Sequence, residues 1–261
     1  MLLAIDVGNT NIVFAVYQGD AKRGQWRATT KQPRTADEHA VWLMTLMGMS
    51  GLNAADVTDA AICSVVPQAV FDLEQLCKKY FKVAPLLVGR HLDLGIDIVM
   101  EEPHTVGADR LANAVGVHKL YGGPAIVIDF GTGTTFDVVD ERGSYKGGII
   151  APGVNLSLDA LHAVSAQLPR IAVVRPAHVV GGGTISAMQS GIYWGYISMI
   201  EGLVARVKVE TGAAGMKVVA TGGLAPLFAG GTDAIQKMDP DLTLLGLVEI
   251  WRRNHKPGSR T

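Results

Sequence analysis

Residues 125–135 read Ala-Ile-Val-Ile-Asp-Phe-Gly-Thr-Gly-Thr-Thr, and this stretch decides the fold. A short run of branched apolar residues ends at Asp129, and a turn that contains Gly131 and Gly133 follows it. Such a run predicts a buried strand in a sheet that is covered on both faces. An Asp at the exit of the strand lies at the sheet edge where α/β proteins bind ligands. The two glycines let backbone N–H groups approach a ligand closely, and phosphate is the usual ligand.

The chain begins with the same pattern. Residues 2–11 read Leu-Leu-Ala-Ile-Asp-Val-Gly-Asn-Thr-Asn, which again predicts a strand, an Asp at its exit and a glycine turn. Asp6 and Asp129 each precede a glycine by two residues, and both segments continue into a second and a third predicted strand. The duplication predicts an α/β protein with two lobes, residues 1–120 and 121–261, each with a mixed sheet and covering helices. Two such halves can together hold one nucleotide.

Composition narrows the functional classes. With 261 residues and 48% hydrophobic residues, the chain can bury a sizeable core. The formal net charge of −1 gives no electrostatic case for nucleic acid, and the basic tail after Arg252 is interpreted as a solvated end. The two cysteines form neither a disulfide framework nor a metal cluster. Residues 176–200 lack Asp, Glu, Lys and Arg but are too polar for a membrane span, so we expect a cytoplasmic protein without a signal peptide.

The glycine turns have two interpretations. The residues after Asp6 could form only a β-hairpin turn, or they could bind phosphate while Asp6 positions Mg²⁺ or its waters. The copy at Asp129 favours the phosphate turn, and the hydroxyl of Thr132 could add a contact. Thr221-Gly222-Gly223 follows another predicted strand. It is either a strand-to-helix turn or a place where a base or ribose rests on the backbone.

Asp109 also has two interpretations. It could be an acidic residue in the first turn of a helix, with Arg110 in a surface pair. It could instead accept a hydroxyl proton during phosphoryl transfer, with the guanidinium fork of Arg110 on a carboxylate or phosphate.

Six motifs occur in an order that resembles the type III pantothenate kinase family, within the acetate/sugar kinase, heat-shock 70 and actin superfamily. The motifs are Asp6-Val-Gly-Asn-Thr-Asn11, Val106-Gly-Ala-Asp-Arg110, Asp129-Phe-Gly-Thr-Gly-Thr134, Gly147-Gly-Ile-Ile-Ala-Pro-Gly153, Ala187-Met-Gln-Ser-Gly191 and Thr221-Gly-Gly223. The resemblance implies a duplicated actin-like (ribonuclease H-like) fold. It implies a kinase that uses ATP to phosphorylate the primary hydroxyl of pantothenate to 4′-phosphopantothenate, the first step of coenzyme A biosynthesis. The alternatives are a non-catalytic nucleotide-binding regulator, like a transcription accessory factor, and a kinase for another small hydroxylated acid or sugar.

The resemblance also implies roles for individual residues. Asp109 would accept the proton, Asp6 would act on Mg²⁺ through water, and Asp129 would bind a monovalent cation, K⁺ or NH₄⁺. Pantothenate would contact Gly107, Ala108, Asp109, Arg110 and Thr184. With the glycine turns included, the expected ATP-binding residues are Asp6, Val7, Gly8, Asn9, Thr10, Asn11, Ile12, Val13, Gly131, Thr132, Gly133, Gly222 and Gly223. Family members are homodimers, which implies self-association here. The chain departs from the family pattern at Gly183, where Asn is expected, and at Met100, where an aromatic residue is expected.

Overall fold

A computed structural model of the protein describes residues 1–164 and 168–255, so most of the basic tail lies outside the described residues. The chain forms two compact units. The first contains Met1–Lys119 together with the last helix, and the second contains Leu120–Asp241.

The first unit is built on a five-stranded sheet in the order β3-β2-β1-β4-β5. Its elements up to residue 121 are β1 (Leu2–Val7), β2 (Asn11–Gln18), β3 (Ala21–Thr29), α1 (Ala36–Met49), β4 (Asp59–Ser64), α2 (Pro67–Leu76), β5 (Leu86–Leu87) and α3 (Ala108–Tyr121). β1 pairs antiparallel with β2 and parallel with β4. β5 is only two residues long and pairs parallel with β4. α2 ends at Leu76 and continues as a π-helical turn, Cys77–Phe81.

The second unit repeats this design in the sheet order β10-β9-β6-β7-β8. Its elements are β6 (Ala125–Phe130), β7 (Gly133–Val139), β8 (Tyr145–Pro152), α4 (Val154–Val164), α5 (Thr184–Thr211), β9 (Lys217–Thr221), α6 (Ala225–Ala229) and β10 (Lys237–Met238). β6 pairs antiparallel with β7 and parallel with β9, as β1 does with β2 and β4. The duplication predicted from the two aspartate–glycine segments is therefore present in the strand order.

The last helix, α7 (Leu242–Asn254), packs in the first unit although it was predicted with residues 121–261. Leu244 and Leu247 of α7 lie in one apolar cluster with Leu2 of β1 and Leu111 of α3. The chain thus returns to its first unit after completing the second. The predicted lobes were residues 1–120 and 121–261, whereas the compact units of the structure change at Leu120 and again at Leu242.

Apolar clusters cover both faces of the first sheet. One cluster joins the sheet to α1 and α2, and the other joins it to α3 and α7. In the second unit, a single cluster joins one face of the sheet to α4, α5 and α6. None of the helices in the described part of the chain is both long and apolar enough to cross a bilayer.

Candidate active site

The alternation of side chains along β1 explains why Asp6 is available for chemistry. Leu3, Ile5 and Val7 point into the core against α1 and α2, so Asp6 points to the opposite face and is half-buried at the strand exit. In the parallel pairing with β4, Asp6 lies directly opposite Cys63. Cys63 was assigned to no site from the sequence. Its position near the end of β4, the strand beside β1, was the signal that could have placed it next to Asp6.

The turn after Asp6 is a tight β1–β2 connection. The Gly8 N–H donates to the Asn11 carbonyl at 3.0 Å, and the Thr30 hydroxyl donates to the Gly8 carbonyl at 2.7 Å. Asn9 and Thr10 are exposed at the tip of the turn. Val7 and Ile12 are both predicted to contact ATP, and their side chains are only 1% and 3% exposed. Only their backbone can contact a nucleotide.

Asp109 lies in the first turn of α3, where the helix has backbone N–H groups without an intrahelical acceptor. Its Oδ1 accepts from the Arg110 N–H at 2.7 Å. Burial raises the pKa of the Asp109 carboxyl above its ordinary value, although the N–H and the charge of Arg110 oppose the shift. A carboxylate with a raised pKa is a better proton acceptor than an exposed Asp.

Gly107 is what allows this position of the carboxylate. A Cβ atom added at Gly107 would lie 2.6 Å from Asp109 Oδ1 and 3.4 Å from Cγ1 of Val65. The Leu111 N–H donates to the Gly107 carbonyl at 3.2 Å, which starts the helix. The predicted motif of residues 107–110 is therefore a local unit in which the glycine makes room for the aspartate.

The charges of Asp6 and Asp109 both act on the thiol of Cys63. Burial is the main reason that the pKa of Cys63 is raised well above its usual value, and the charges of Asp6 and Asp109 add to the shift. Cys63 is fully buried, and the parallel register places it opposite Asp6. The first unit thus contains both predicted catalytic aspartates.

The second unit brings Asp129, Gly131 and Gly222 together. Asp129 is paired with Thr221 in the parallel register of β6 and β9, so the turn after β9 begins beside it. Gly222 has a φ of +91°, and a Cβ atom added there would lie 2.5 Å from Asp129 Oδ1. A Cβ atom added at Gly131 would lie 3.7 Å from the same oxygen. The carboxylate of Asp129 therefore lies in a cradle of backbone atoms, while Gly223 faces open space.

The 131–133 turn repeats the turn after Asp6. The Gly131 N–H donates to the Gly133 carbonyl at 3.0 Å, and Gly131 and Thr132 are exposed.

Thr184, which is predicted to contact pantothenate, is the exposed first residue of α5. Gly183 is the N-cap of that helix and offers no side-chain acceptor, while the Ser186 hydroxyl accepts from the Gly183 N–H at 3.1 Å. The departure at Gly183 therefore leaves the helix start intact.

The two mixed sheets and the paired aspartate–glycine turns define a protein with a duplicated fold of the actin-like class. A protein from Sinorhizobium meliloti assigned as a 2-dehydro-3-deoxygalactonokinase aligns over 100% of both chains, with a TM-score of 0.54 and 12% identity. A protein from Campylobacter jejuni described as a conserved Baf family transcriptional activator aligns over 97% of this chain and 98% of its own, with a TM-score of 0.60 and 16% identity. At these identities the similarity concerns the fold alone, and it confirms the predicted duplicated actin-like fold.

Sequence similarity identifies the family within this class. The profile of the family described as type III pantothenate kinase matches residues 2–206. The type III pantothenate kinase of Rhodospirillum rubrum is 64% identical over 255 residues, which are 97% of this chain and 99% of the relative. The chain belongs to the type III pantothenate kinase family, and it is a kinase.

Proposed function

We propose that this kinase transfers the γ-phosphoryl group of ATP to the primary hydroxyl of pantothenate, giving 4′-phosphopantothenate, and that it does so in the cytoplasm. This is the first step of coenzyme A biosynthesis. The observation that carries the proposal is the half-buried Asp109 in the first turn of α3, where Gly107 leaves room for its carboxylate and the Arg110 N–H orients it. The family membership of the chain supports pantothenate as the acceptor.

Asp109 accepts the proton of the attacking hydroxyl. Its Oδ1 is oriented by the Arg110 N–H, so the carboxylate is fixed before the substrate binds. The planar guanidinium of Arg110 suits the carboxylate of pantothenate, because two parallel N–H donors match two carboxylate oxygens. In a phosphoryl transfer the protein contributes mainly position and charge, and these two side chains supply both on the acceptor side.

The residues around Asp6 suit the phosphates of ATP and Mg²⁺. Mg²⁺ binds nucleotide phosphates through one or two carboxylates and keeps several waters, and the half-buried carboxylate at the exit of β1 offers such a ligand. When bound, Mg²⁺ neutralises charge that develops on the phosphoryl oxygens. The exposed Asn9 and Thr10 at the tip of the turn contact the phosphates with their side chains and backbone.

The residues around Asp129 suit a monovalent cation, K⁺ or NH₄⁺. The glycines at 131 and 222 leave Oδ1 of Asp129 beside backbone rather than side chains, and a singly charged ion is bound well by one carboxylate and backbone oxygens. Thr132 is exposed at the turn and contacts ATP, while the backbone of Gly222 and Gly223 supports the nucleoside.

Self-association is supported by an unusual surface of the second unit. Residues 176–200 lack Asp, Glu, Lys and Arg, and Val179 and Val180 in this stretch are 64% and 86% exposed. Ile185 at the start of α5 is also exposed, and Ile150 on β8 is 70% exposed. Gly191 and Gly195 of α5 face open space, so their backbone is accessible to a neighbour. We infer that this surface meets a second copy of the chain, close to the pantothenate contact assigned to Thr184.

The activity is tested by ADP release from ATP and Mg²⁺, with and without pantothenate, in K⁺ buffer and in Na⁺ buffer. We expect turnover that requires pantothenate and K⁺, and none from the Asp109→Asn variant. Turnover without pantothenate, or with equal rates for several sugars, would contradict the assigned acceptor. Nucleotide binding without any turnover would favour the regulator.

The dimer is tested by light scattering after size exclusion. We expect a mass of two chains for the wild type and one chain for Val180→Glu, because a charge on this apolar surface is costly to bury. Val209→Glu is the matched control, since Val209 is 83% exposed near the other end of α5. A monomeric wild type would refute the self-association.

A further inference from the structure

The junction between β8 and α4 rests on the second glycine turn. A Cβ atom added at Gly153 would collide with the carbonyl oxygen of Thr132, and it would lie 3.1 Å from the carbonyl oxygen of Gly131. Pro152, the last residue of β8, is paired with Gly133 in the antiparallel register of β7 and β8. The backbone of residues 152–153 therefore supports the 131–133 turn, and the position of the junction sets the position of the turn.

Tyr196 of α5 holds this junction in place. Its hydroxyl donates to the Pro152 carbonyl at 2.9 Å. The hydroxyl has one proton, so the 2.8 Å contact with Ser157 Oγ is a bond that Ser157 donates. The Ser157 N–H donates in turn to the Gly153 carbonyl at 2.9 Å. One phenol group thus connects the end of β8, the first turn of α4 and the long helix α5.

We propose that Tyr196 is a positioning residue for ATP, acting through Pro152 and Gly153 on the turn of residues 131–133. The inference depends on the proposed function, which assigns Thr132 and the flanking glycines to the nucleotide. It adds a residue that touches no substrate itself.

The role of the Tyr196 hydroxyl can be tested separately from that of its ring. The ring is 8% exposed, and its centroid lies 5.8 Å from that of Phe228 in the core of the second unit. Core packing therefore keeps the ring in place in Tyr196→Phe, while the bond to Pro152 is lost. The junction can then shift away from Thr132, and the turn loses its fixed orientation before ATP binds.

The test is the affinity for ATP, measured by titration calorimetry with Mg²⁺ and without pantothenate, together with steady-state kinetics. We expect the Kd of Tyr196→Phe for ATP to rise about fivefold to tenfold, the effect of one net hydrogen bond. The KM for pantothenate should stay within about twofold, because Asp109 and Arg110 belong to the other unit and Thr184 is the first residue of α5, well before Tyr196 along the helix. Ser157→Ala, which leaves the Tyr196–Pro152 bond intact, should show a smaller rise in the Kd for ATP.

Tyr193→Phe is the matched control, because Tyr193 is one helical turn earlier and also packs on Phe228. Its hydroxyl lies against Gly231 rather than the junction. If both Tyr→Phe variants bind ATP as the wild type does, or lose ATP and pantothenate affinity equally, the positioning role is refuted while the kinase assignment stands. A wild type that binds no ATP would overturn both proposals.

Discussion

The ionised form of Asp109 lowers the stability of the fold, and it is also the form that can accept a proton. Its carboxyl has a raised pKa because it is partly buried, so the folded state favours the protonated form. For an acid of this kind, the contribution to stability is complete below the unfolded pKa and is lost as the pH rises through the folded pKa. At neutral pH the ionised Asp109 therefore destabilises the fold, while it is the form that accepts a proton.

We expect Asp109→Asn to lose kcat by orders of magnitude while ATP binding remains, because the proton acceptor is absent. The same variant should melt at a higher temperature than the wild type at pH 8, and the difference should shrink as the pH falls towards the pKa of the carboxyl. Thermal unfolding at several pH values and turnover at saturating substrates check both parts. Near-normal turnover would refute the catalytic role.

Gly222 gives a second prediction at the residue scale. Its φ of +91° is a conformation that L residues avoid at a cost of about 1–2 kcal/mol, and a Cβ atom there would lie 2.5 Å from Asp129 Oδ1. We expect Gly222→Ala to lower the free energy of unfolding by at least that amount and to weaken the response of the melting temperature to K⁺. The adjacent Gly223→Ala is the control, because nothing lies within 4 Å of its added Cβ. Equal behaviour of the two variants would argue against the cradle around Asp129.

His39 predicts a pH dependence of stability. The ring is buried beside Phe14, and among the described residues its Nδ1 has no hydrogen-bond partner. Burial, followed by the charge of Arg34, lowers the pKa of His39. The neutral ring therefore stabilises the fold above the unfolded pKa of about 6.5, and this stability is lost as the pH falls through the lowered pKa.

The His39→Leu variant should lack this loss, so urea unfolding at pH 7.5 and pH 5.5 should show a smaller drop than in the wild type. His178→Gln, at an exposed position, is the control and should follow the wild type. An unchanged drop in His39→Leu would show that other groups cause the acid sensitivity.

Glycine allows close packing in some helices of this protein and only weakens others. Gly246 of α7 and Gly116 of α3 form a close backbone crossing: a Cβ at Gly116 would lie 2.7 Å from the Leu242 carbonyl oxygen, and one at Gly246 would lie 3.0 Å from the Gly116 nitrogen. Thr243 also donates to Oδ1 of the buried Asn113 at 2.7 Å. α7 is thus seated on α3, whose first turn carries Asp109.

We expect Gly246→Ala to destabilise the protein by about 1–3 kcal/mol, because the added methyl group meets backbone that cannot move aside. Gly48→Ala in α1 should instead stabilise by up to about 1 kcal/mol, since nothing lies within 4 Å and Ala is the better helix former. Denaturant unfolding of both variants provides the comparison. A neutral Gly246→Ala would mean that the two helices can separate at low cost.

The same contrast shows what sequence reasoning can and cannot find at the scale of elements. The strand exits at Asp6 and Asp129 and the start of α3 were predictable, because burial patterns and turn residues are local signals. The crossing at Gly116 and Gly246 was not, because glycine in a helix is locally only a weakness. The pairing of Cys63 with Asp6 was not predictable, because it depends on strand register. The close approach of Gly153 to Thr132 was not predictable either, because it joins residues that are distant in the chain. Lys237–Met238 was too short to predict as a strand.

At the scale of the whole molecule, the first unit is discontinuous. Leu244, Leu247, Val248 and Ile250 of α7 are all buried against it, while residues 120–241 form the second unit. The predicted boundary at residue 120 came from the start of the second repeat. The sequence holds no signal that the chain returns to the first unit at Leu242, because the apolar face of α7 does not show which surface it packs against.

We expect a chain that ends at residue 241 to be insoluble or to lack cooperative unfolding, because it exposes the apolar face of the first sheet. A chain that ends at residue 255 should keep the melting temperature and turnover of the full chain, since α7 is retained. Expression, thermal unfolding and ATP turnover of the two truncations decide the point. A folded and active chain of 241 residues would show that α7 is dispensable.

The return of the chain at Leu242 also governs when the enzyme comes into being during its synthesis. A ribosome that has made the whole of residues 1–119 has not yet supplied the helix that closes their core. Leu2 and Leu111 stay uncovered until the last part of the chain emerges, and such apolar surface is a target for chaperones and for aggregation. The unit that contains Asp6 and Asp109 is therefore the first to be translated and the last to be completed, so a prematurely terminated chain carries both aspartates but yields no active kinase.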